Sequence, residues 1–248
     1  MIAKEQKKKV LVLTGSDESM HSVLDMTIPS KQRYIQKHGY DLLVRRSFSP
    51  IPELGFLDTL VGIGFLRTLM VFQMLEYYDT VMWIDGDSVI TNENMPIEDF
   101  LIGDHSFYAS WDWLSHADGG QGYTGFSSGN FIIRRTANTK KLFDAFLQVS
   151  QHFLQDEGAD QVTLNTIYNA GGEDLRKEFK VLDHKYLNAV PEFMTTTKTW
   201  MADPKRSGPT RSHVIVSPWN EDCFLAHLTG CTNKDRINIL QTYIKKYL

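Results

Sequence analysis

Two aspartates, Asp85 and Asp87, stand one residue apart in VMWIDGDSVITN, directly after the apolar run Val81, Met82, Trp83 and Ile84. Free carboxylates this close repel one another, and a divalent cation beside them removes the repulsion and is itself held. Mg²⁺ or Mn²⁺ bound by one or two carboxylates fills the rest of its shell with water and with phosphate oxygens, so the pair implies a ligand carrying a diphosphate. Gly86 lets the backbone turn between the two without a side chain in the way. A polar turn capping a strand competes with this reading for any isolated Asp-x-Asp, and the apolar residues just before it favour the metal.

Other residues could complete such a site. His227, in FLAHLTG three residues before Gly230, offers an imidazole that can finish a metal site begun by carboxylates, although a lone His beside apolar neighbours is more often part of the core. Lys234 could neutralise a departing diphosphate as a point charge, or simply open the last helix. Arg67 lies among Leu, Met, Phe and Val, where a cation needs an anionic partner: a phosphate, a sugar site or a structural carboxylate. In SSGNFIIRR, Ser128, Gly129 and Asn130 are small and polar just ahead of a strand, suited to sugar hydroxyls or to an ordinary turn. Asp160 and Gln161, in GADQVTLN, fall in the first turn of a helix, where pattern alone makes the Asp a cap. Thr14, Gly15 and Asp17 close the first strand and open its loop, a place for a nucleotide base and ribose. Trp111 and Asp112 offer a stacking platform and a hydroxyl acceptor, though Trp111 and Trp113 could equally fill core.

The elements that must position these residues follow from periodicity. VLVLT, closed by Gly15, reads as a buried parallel strand, and IPSKQRYIQKHG as a helix opened by Pro29 and ended by His38 and Gly39. YDLLV is a second strand, residues 59–78 a helix, and VMWID the third strand. Later strands are expected at residues 106–111, 130–134 and 213–217 and around Val181, with helices at 139–155, 160–168 and 234–248. This alternation predicts an α/β fold with a mostly parallel sheet and helices on both faces. Ligands bind outside the carboxyl ends of such strands, where Asp85 and Asp87 fall. The polar, irregular stretch from Met194 to Ser212 reads as a long surface loop suited to shaping an acceptor site.

The 248 residues contain no linker and suit one domain. A net charge of −4 with interspersed signs gives no reason to expect nucleic acid or an anionic membrane, and Lys4 to Lys9 read as a solvated tail. Cys223 and Cys231 are too few for a disulfide scaffold and lack zinc-site spacing, which fits a reducing compartment. The N-terminus matches neither a signal peptide nor an anchor, and Asp58, Arg67 and Gln73 interrupt the most apolar region. A soluble, cytoplasmic protein is expected.

YIQKHGYDLL, FLRTLM, WIDGDSVITN, SSGNFIIRR, DQVTLN and HLTGC, in that order, resemble the series found in the family of yeast mannan galactosyl- and mannosyltransferases and plant xyloglucan xylosyltransferases. Some also resemble the retaining bacterial galactosyltransferases of lipooligosaccharide synthesis. The likeness runs from about Val10 to Cys231 and rests on the shared order of short motifs. It implies a GT-A fold, a mixed, mostly parallel sheet flanked by helices. It also implies a Mn²⁺-dependent nucleotide-sugar donor, uridine-linked ahead of guanosine-linked, and transfer to a glycan with retention. By the same resemblance His227 is the third metal ligand, Gly230 lets backbone approach the diphosphate, and Arg67 serves the donor. Gln161 would lie beside the anomeric carbon opposite the leaving group, with Asp160 orienting donor hydroxyls or stabilising developing positive charge. One departure is Ala159, where the plant members carry a further Asp.

Two rivals stand beside this reading. WIDGDSVI also resembles the haloacid dehalogenase phosphatases, with Asp85 as nucleophile, although the acidic pairs near Asp160 and at Glu173 and Asp174 lie in polar or helical surroundings. A sugar-binding relative without turnover is the other, with Ala159 for it and the three metal-ligand candidates against it.

Overall fold

The computed structural model describes residues 9–48, 62–112, 125–154, 158–191 and 219–248. Strands β1 (Val10–Gly15), β2 (Asp41–Arg45), β3 (Thr80–Asp85), β5 (Phe107–Trp111), β6 (Phe126–Arg134) and β7 (Phe179–Leu182) form a six-stranded sheet in the order β2-β1-β3-β6-β5-β7. Only β6 runs against the others, so the expected mixed, mostly parallel sheet is what the chain forms. A separate antiparallel pair joins β4 (Ser88–Ile90) to β8 (Leu225–His227).

Successive strand residues point to opposite faces, and each face takes its own helices. Val81 and Trp83 of β3 pack with Phe131 and Ile133 of β6 against α2 (Ile63–Met74), α3 (Thr139–Ser150) and α4 (Ala159–Ala170). Met82 and Ile84 join Ile132 and Tyr108 on the other face, where Tyr34 of α1 (His21–His38) covers them. A third cluster seats α7 (Asn233–Thr242) on Val89, Ala226 and Val23. The short helices α5 (Glu173–Arg176) and α6 (His184–Leu187) flank β7. Among the described residues no helix is long and apolar enough to cross a membrane.

Several expected boundaries move. Helix α1 starts eight residues before Pro29 and carries it in its interior. A proline there removes one helical hydrogen bond at a cost of about 3 kcal/mol. Burial of Val23, Leu24 and Thr27 in the preceding turns outweighs that loss. Strand β6 begins at Phe126, so Ser128, Gly129 and Asn130 are strand residues instead of a turn ahead of one. Helices α2 and α3 end at Met74 and Ser150, short of the expected Tyr78 and Gln155, and α7 ends at Thr242 with a 3₁₀ turn at Lys245–Tyr247 beyond it. The strand expected at 213–217, the loop 194–212 and Trp113 lie outside the described residues.

Two registers matter for the site. Gly15 pairs with Asp85, so β1 and β3 end side by side, and Ile84 pairs with Asn130 of β6. Across the small sheet Ser88 pairs with His227, which sets the imidazole beside the Asp85–Asp87 turn.

Candidate metal and donor site

Each carboxylate of the pair has one oxygen tied down and one left toward a common point. Asp85 Oδ1 accepts hydrogen bonds from Arg67 Nη1 at 2.5 Å and from Trp83 Nε1 at 2.7 Å. Asp87 Oδ2 accepts one from Arg236 Nε at 2.9 Å. The second oxygens, Asp85 Oδ2 and Asp87 Oδ1, lie 3.7 and 3.6 Å from His227 Nε2. The ligand atoms of these three residues all lie within 4.8 Å of one another.

The imidazole is equally committed. His227 Nδ1 is 2.8 Å from Asn188 Oδ1, and Asn188 Nδ2 donates to the Trp111 carbonyl at 3.0 Å. With its amide so oriented, Asn188 presents an acceptor to Nδ1, which therefore carries a proton, so that Nε2 is the ring nitrogen that can meet a cation. Two carboxylate oxygens and one imidazole nitrogen, each held from behind, are a fitting donor set for Mn²⁺ or Mg²⁺. Octahedral ligands at about 2.1 Å from an ion sit about 3 Å apart when adjacent and about 4 Å when opposite, so small movements would close this set on a cation.

Arg67 is the hub behind the pair. Its Nε donates to Asp160 Oδ2 at 2.9 Å and its Nη2 to Ser128 Oγ at 2.9 Å, besides the bond to Asp85. The anionic partner that its apolar helix demands is thus two carboxylates at once. Burial alone would raise the Asp85 carboxyl, but Arg67, then His227 and Trp83, more than reverse this and hold it at about 2. Burial likewise opposes the Arg67 charge, and Asp160 and Asp85 raise its pKa above the ordinary guanidinium value.

Asp160 is wholly buried and does not cap α4, whose N-cap is Gly158. Its Oδ2 serves Arg67 and Thr68 Oγ1, while its Oδ1 has no hydrogen-bond partner and faces Gly64, where a Cβ would overlap it. The Gln161 amide is fixed at both ends: Oε1 accepts from the Ser128 N–H at 3.0 Å and Nε2 donates to Asp112 Oδ2 at 2.9 Å. Asn130 Oδ1 accepts the Asp85 N–H at 3.1 Å, and its buried Nδ2 is left as a donor without a partner. These bonds link Asp112, Gln161, Ser128, Arg67 and Asp85 in one chain, so residues from β3, β6, α2, α4 and the end of β5 share a site.

The remaining candidates are distributed around this centre. Thr14 and Ser16 carry buried hydroxyls without partners at the end of β1, and a Cβ on Gly86 would meet the Gly15 carbonyl at 3.0 Å. Asp17 is occupied locally, accepting from Ser19 Oγ at 2.6 Å and from the Met20 N–H. Gly230 adopts φ +73°, a left-handed turn after β8 that favours glycine. Lys234 is exposed in the first turn of α7, and Arg236 is the α7 cation that reaches Asp87. Trp111 ends β5 half-buried and Asp112 is buried beside it.

Three contributors lie outside the sequence reading: Trp83, Asn188 and Arg236. A signal existed for Trp83, because residues two apart on a strand share a face. A Cβ on Gly129 would meet Asp85 Oδ2 and His227 Nε2 at 2.9 Å each, which only the β3–β6 pairing reveals.

No protein-family model and no curated protein matches the sequence. Solved structures do resemble it. A glycosyltransferase involved in glycosylation of the major capsid of PBCV-1 superposes with a TM-score of 0.60 at 16% identity, over 94% of this chain and 98% of that one. Mouse xyloside xylosyltransferase 1 in its apo form gives 0.55 at 13% identity, over 89% and 98%. An active-site mutant of LgtC gives 0.53 at 14% identity, over 94% and 95%. With its mixed six-stranded sheet, its flanking helices and these neighbours, the chain has the GT-A glycosyltransferase fold.

Proposed function

We propose that this chain is a metal-dependent glycosyltransferase that moves a hexose or pentose from a nucleotide-diphosphate sugar, uridine-linked, to a glycan hydroxyl with retention of configuration. The observation that carries this is the convergence of Asp85 Oδ2, Asp87 Oδ1 and His227 Nε2, each with its other polar atom tied back, at the carboxyl end of β3. Bound there, Mn²⁺ or Mg²⁺ supplies positive charge that makes the nucleotide diphosphate a better leaving group.

The protein's own groups do the rest. Arg67 keeps Asp85 ionised and aimed, and Asp160 keeps Arg67 in place. Asn130 Nδ2 and Asp160 Oδ1, buried and without partners, are suited to donor hydroxyls. Thr14, Gly15 and Asp17 flank the place for base and ribose, and Gly230, Lys234 and Arg236 flank the diphosphate. Gln161, pinned between Ser128 and Asp112, presents a fixed amide dipole to the anomeric carbon. The acceptor, bordered by Trp111 and Asp112, enters on the side of the departing phosphate, whose oxygen takes its proton; entry on the same side gives retention. Two free, buried cysteines fit a cytoplasmic setting.

Incubation with Mn²⁺ and a panel of nucleotide sugars, read by mass spectrometry, tests the proposal. Slow metal-dependent release of nucleoside diphosphate from one donor supports it. Phosphate release from p-nitrophenyl phosphate would instead support a phosphatase with Asp85 as nucleophile, and donor binding without turnover would support a sugar-binding relative.

A further inference from the structure

Lys31 is the one wholly buried lysine among the described residues, and the chemistry above does not use it. A buried ammonium is costly unless its protons are placed. No described carboxylate lies within ion-pair distance of Nζ, which instead donates to Thr27 Oγ1 at 2.9 Å and to the Ser88 carbonyl at 2.8 Å. Thr27 Oγ1 is in turn 2.6 Å from the Gly86 carbonyl. Because Lys31 supplies the proton between Nζ and Oγ1, the single hydroxyl proton of Thr27 is left for a carbonyl, and Gly86 at 2.6 Å is nearer than Leu24 at 3.0 Å. Ser30 Oγ, from the same helix, accepts the Ile90 N–H at 3.3 Å and donates to the Thr27 carbonyl.

Three polar side chains of α1 therefore grip the backbone on both sides of Asp87: the Gly86 and Ser88 carbonyls and the Ile90 N–H. Ser88 is also the residue whose pairing with His227 brings the imidazole to the site. Asp87 is tied to the same strand pair through its own carbonyl, which accepts from the Leu228 N–H at 3.2 Å. Burial lowers the Lys31 amine to about 7, and the groups that oppose this lowering are Asp87 and Asp85.

We propose that Lys31 is a positioning residue for the metal centre: from beneath the turn, and through Thr27, it fixes the Gly86 and Ser88 carbonyls so that Asp87 Oδ1 faces His227 Nε2 before any cation binds. This rests on the metal-site reading above. Outer-shell partners of metal ligands are typically worth 10- to 100-fold in metal affinity.

The test is Mn²⁺ binding to the full chain, followed by calorimetry and by the electron paramagnetic resonance of free Mn²⁺, with circular dichroism as the check on folding. Lys31→Met keeps the volume and removes the donors, and Thr27→Val removes the relay to Gly86, with one acceptor of Nζ and a bond to the Leu24 carbonyl, while leaving the Lys31 bond to Ser88. Weakening of Mn²⁺ binding by about 10-fold or more in Lys31→Met, with a smaller loss in Thr27→Val, is expected. In donor hydrolysis the effect should fall on the metal concentration for half-maximal turnover more than on kcat at saturating metal, a split that general loosening of the fold would not produce. If Lys31→Met does not fold, Thr27→Val decides alone. Wild-type affinity in folded variants overturns the positioning role while leaving the metal reading intact. Absence of Mn²⁺ binding in the wild-type protein overturns both.

Discussion

Gly129→Ala adds one methyl group, removes no charge and leaves every proposed ligand in the sequence. Its Cβ would meet Asp85 Oδ2 and His227 Nε2 at 2.9 Å each, with His227 Cε1 closer still. Ordinary contact requires about 3.5 Å, so two of the three proposed ligands must each retreat by at least about 0.6 Å. Neither moves freely: Asp85 Oδ1 is held by Arg67 and Trp83, and His227 Nδ1 by Asn188. Overpacking of this kind costs about 1–3 kcal/mol of stability, which a 248-residue chain can survive. Metal sites tolerate only about 0.2 Å of error in ligand distance, so the loss of Mn²⁺ affinity should be disproportionate, on the order of 100-fold. Calorimetric titration with Mn²⁺, paired with thermal unfolding of the metal-free protein, separates the two effects. A folded Gly129→Ala protein that binds Mn²⁺ as tightly as wild type would refute the reasoning, because the ion could not then sit between Asp85 and His227.

Other outcomes follow from the same geometry. Arg67→Met strands Asp85 and Asp160 without their cation, and should lower stability by about 3–5 kcal/mol and Tm by on the order of 10 °C in a thermal melt. The Asp85 carboxyl, held at about 2 in the folded chain against an ordinary 3.8, adds stability that is complete above about pH 4 and lost as pH falls through about 2. That contribution is about 2 kcal/mol in the metal-free protein, and urea unfolding at pH 5 and pH 2.5 in wild type and Asp85→Asn measures it as the difference in pH dependence. Asn188→Leu removes the acceptor that fixes the His227 tautomer, so Mn²⁺ should bind about 10- to 100-fold more weakly, and unchanged binding would show that Asn188 does not orient the ring.

The sheet was legible because its central strands are nearly continuous apolar runs, as VLVLT and VMWID are, and strands buried on both faces read that way. The start of β6 was not legible: Ser127, Ser128 and Gly129 look like a turn, and only neighbours distant in sequence change that. The Gln161 amide takes the Ser128 N–H and Arg67 takes its hydroxyl, so a polar stretch becomes affordable inside a sheet. Pro29 misled for a similar reason, since the apolar contacts that extend α1 before it come from other elements. In the site, Asp85 and Asp87 could be proposed from residue type and local context, and His227 as their partner only through the family resemblance. Asn188, Arg236 and Lys31 could not, because each acts through one bond to a residue far along the chain, and no local period encodes such a bond.

The central claim is that Asp85, Asp87 and His227 hold one divalent ion against a nucleotide diphosphate. Anomalous diffraction at the manganese edge, from crystals grown with Mn²⁺ and uridine diphosphate, tests it most directly. A single strong peak in contact with Asp85 Oδ2, Asp87 Oδ1, His227 Nε2 and the diphosphate oxygens is the predicted result. A peak elsewhere, or nucleotide density at the carboxyl end of β3 with no ion between those side chains, would contradict it.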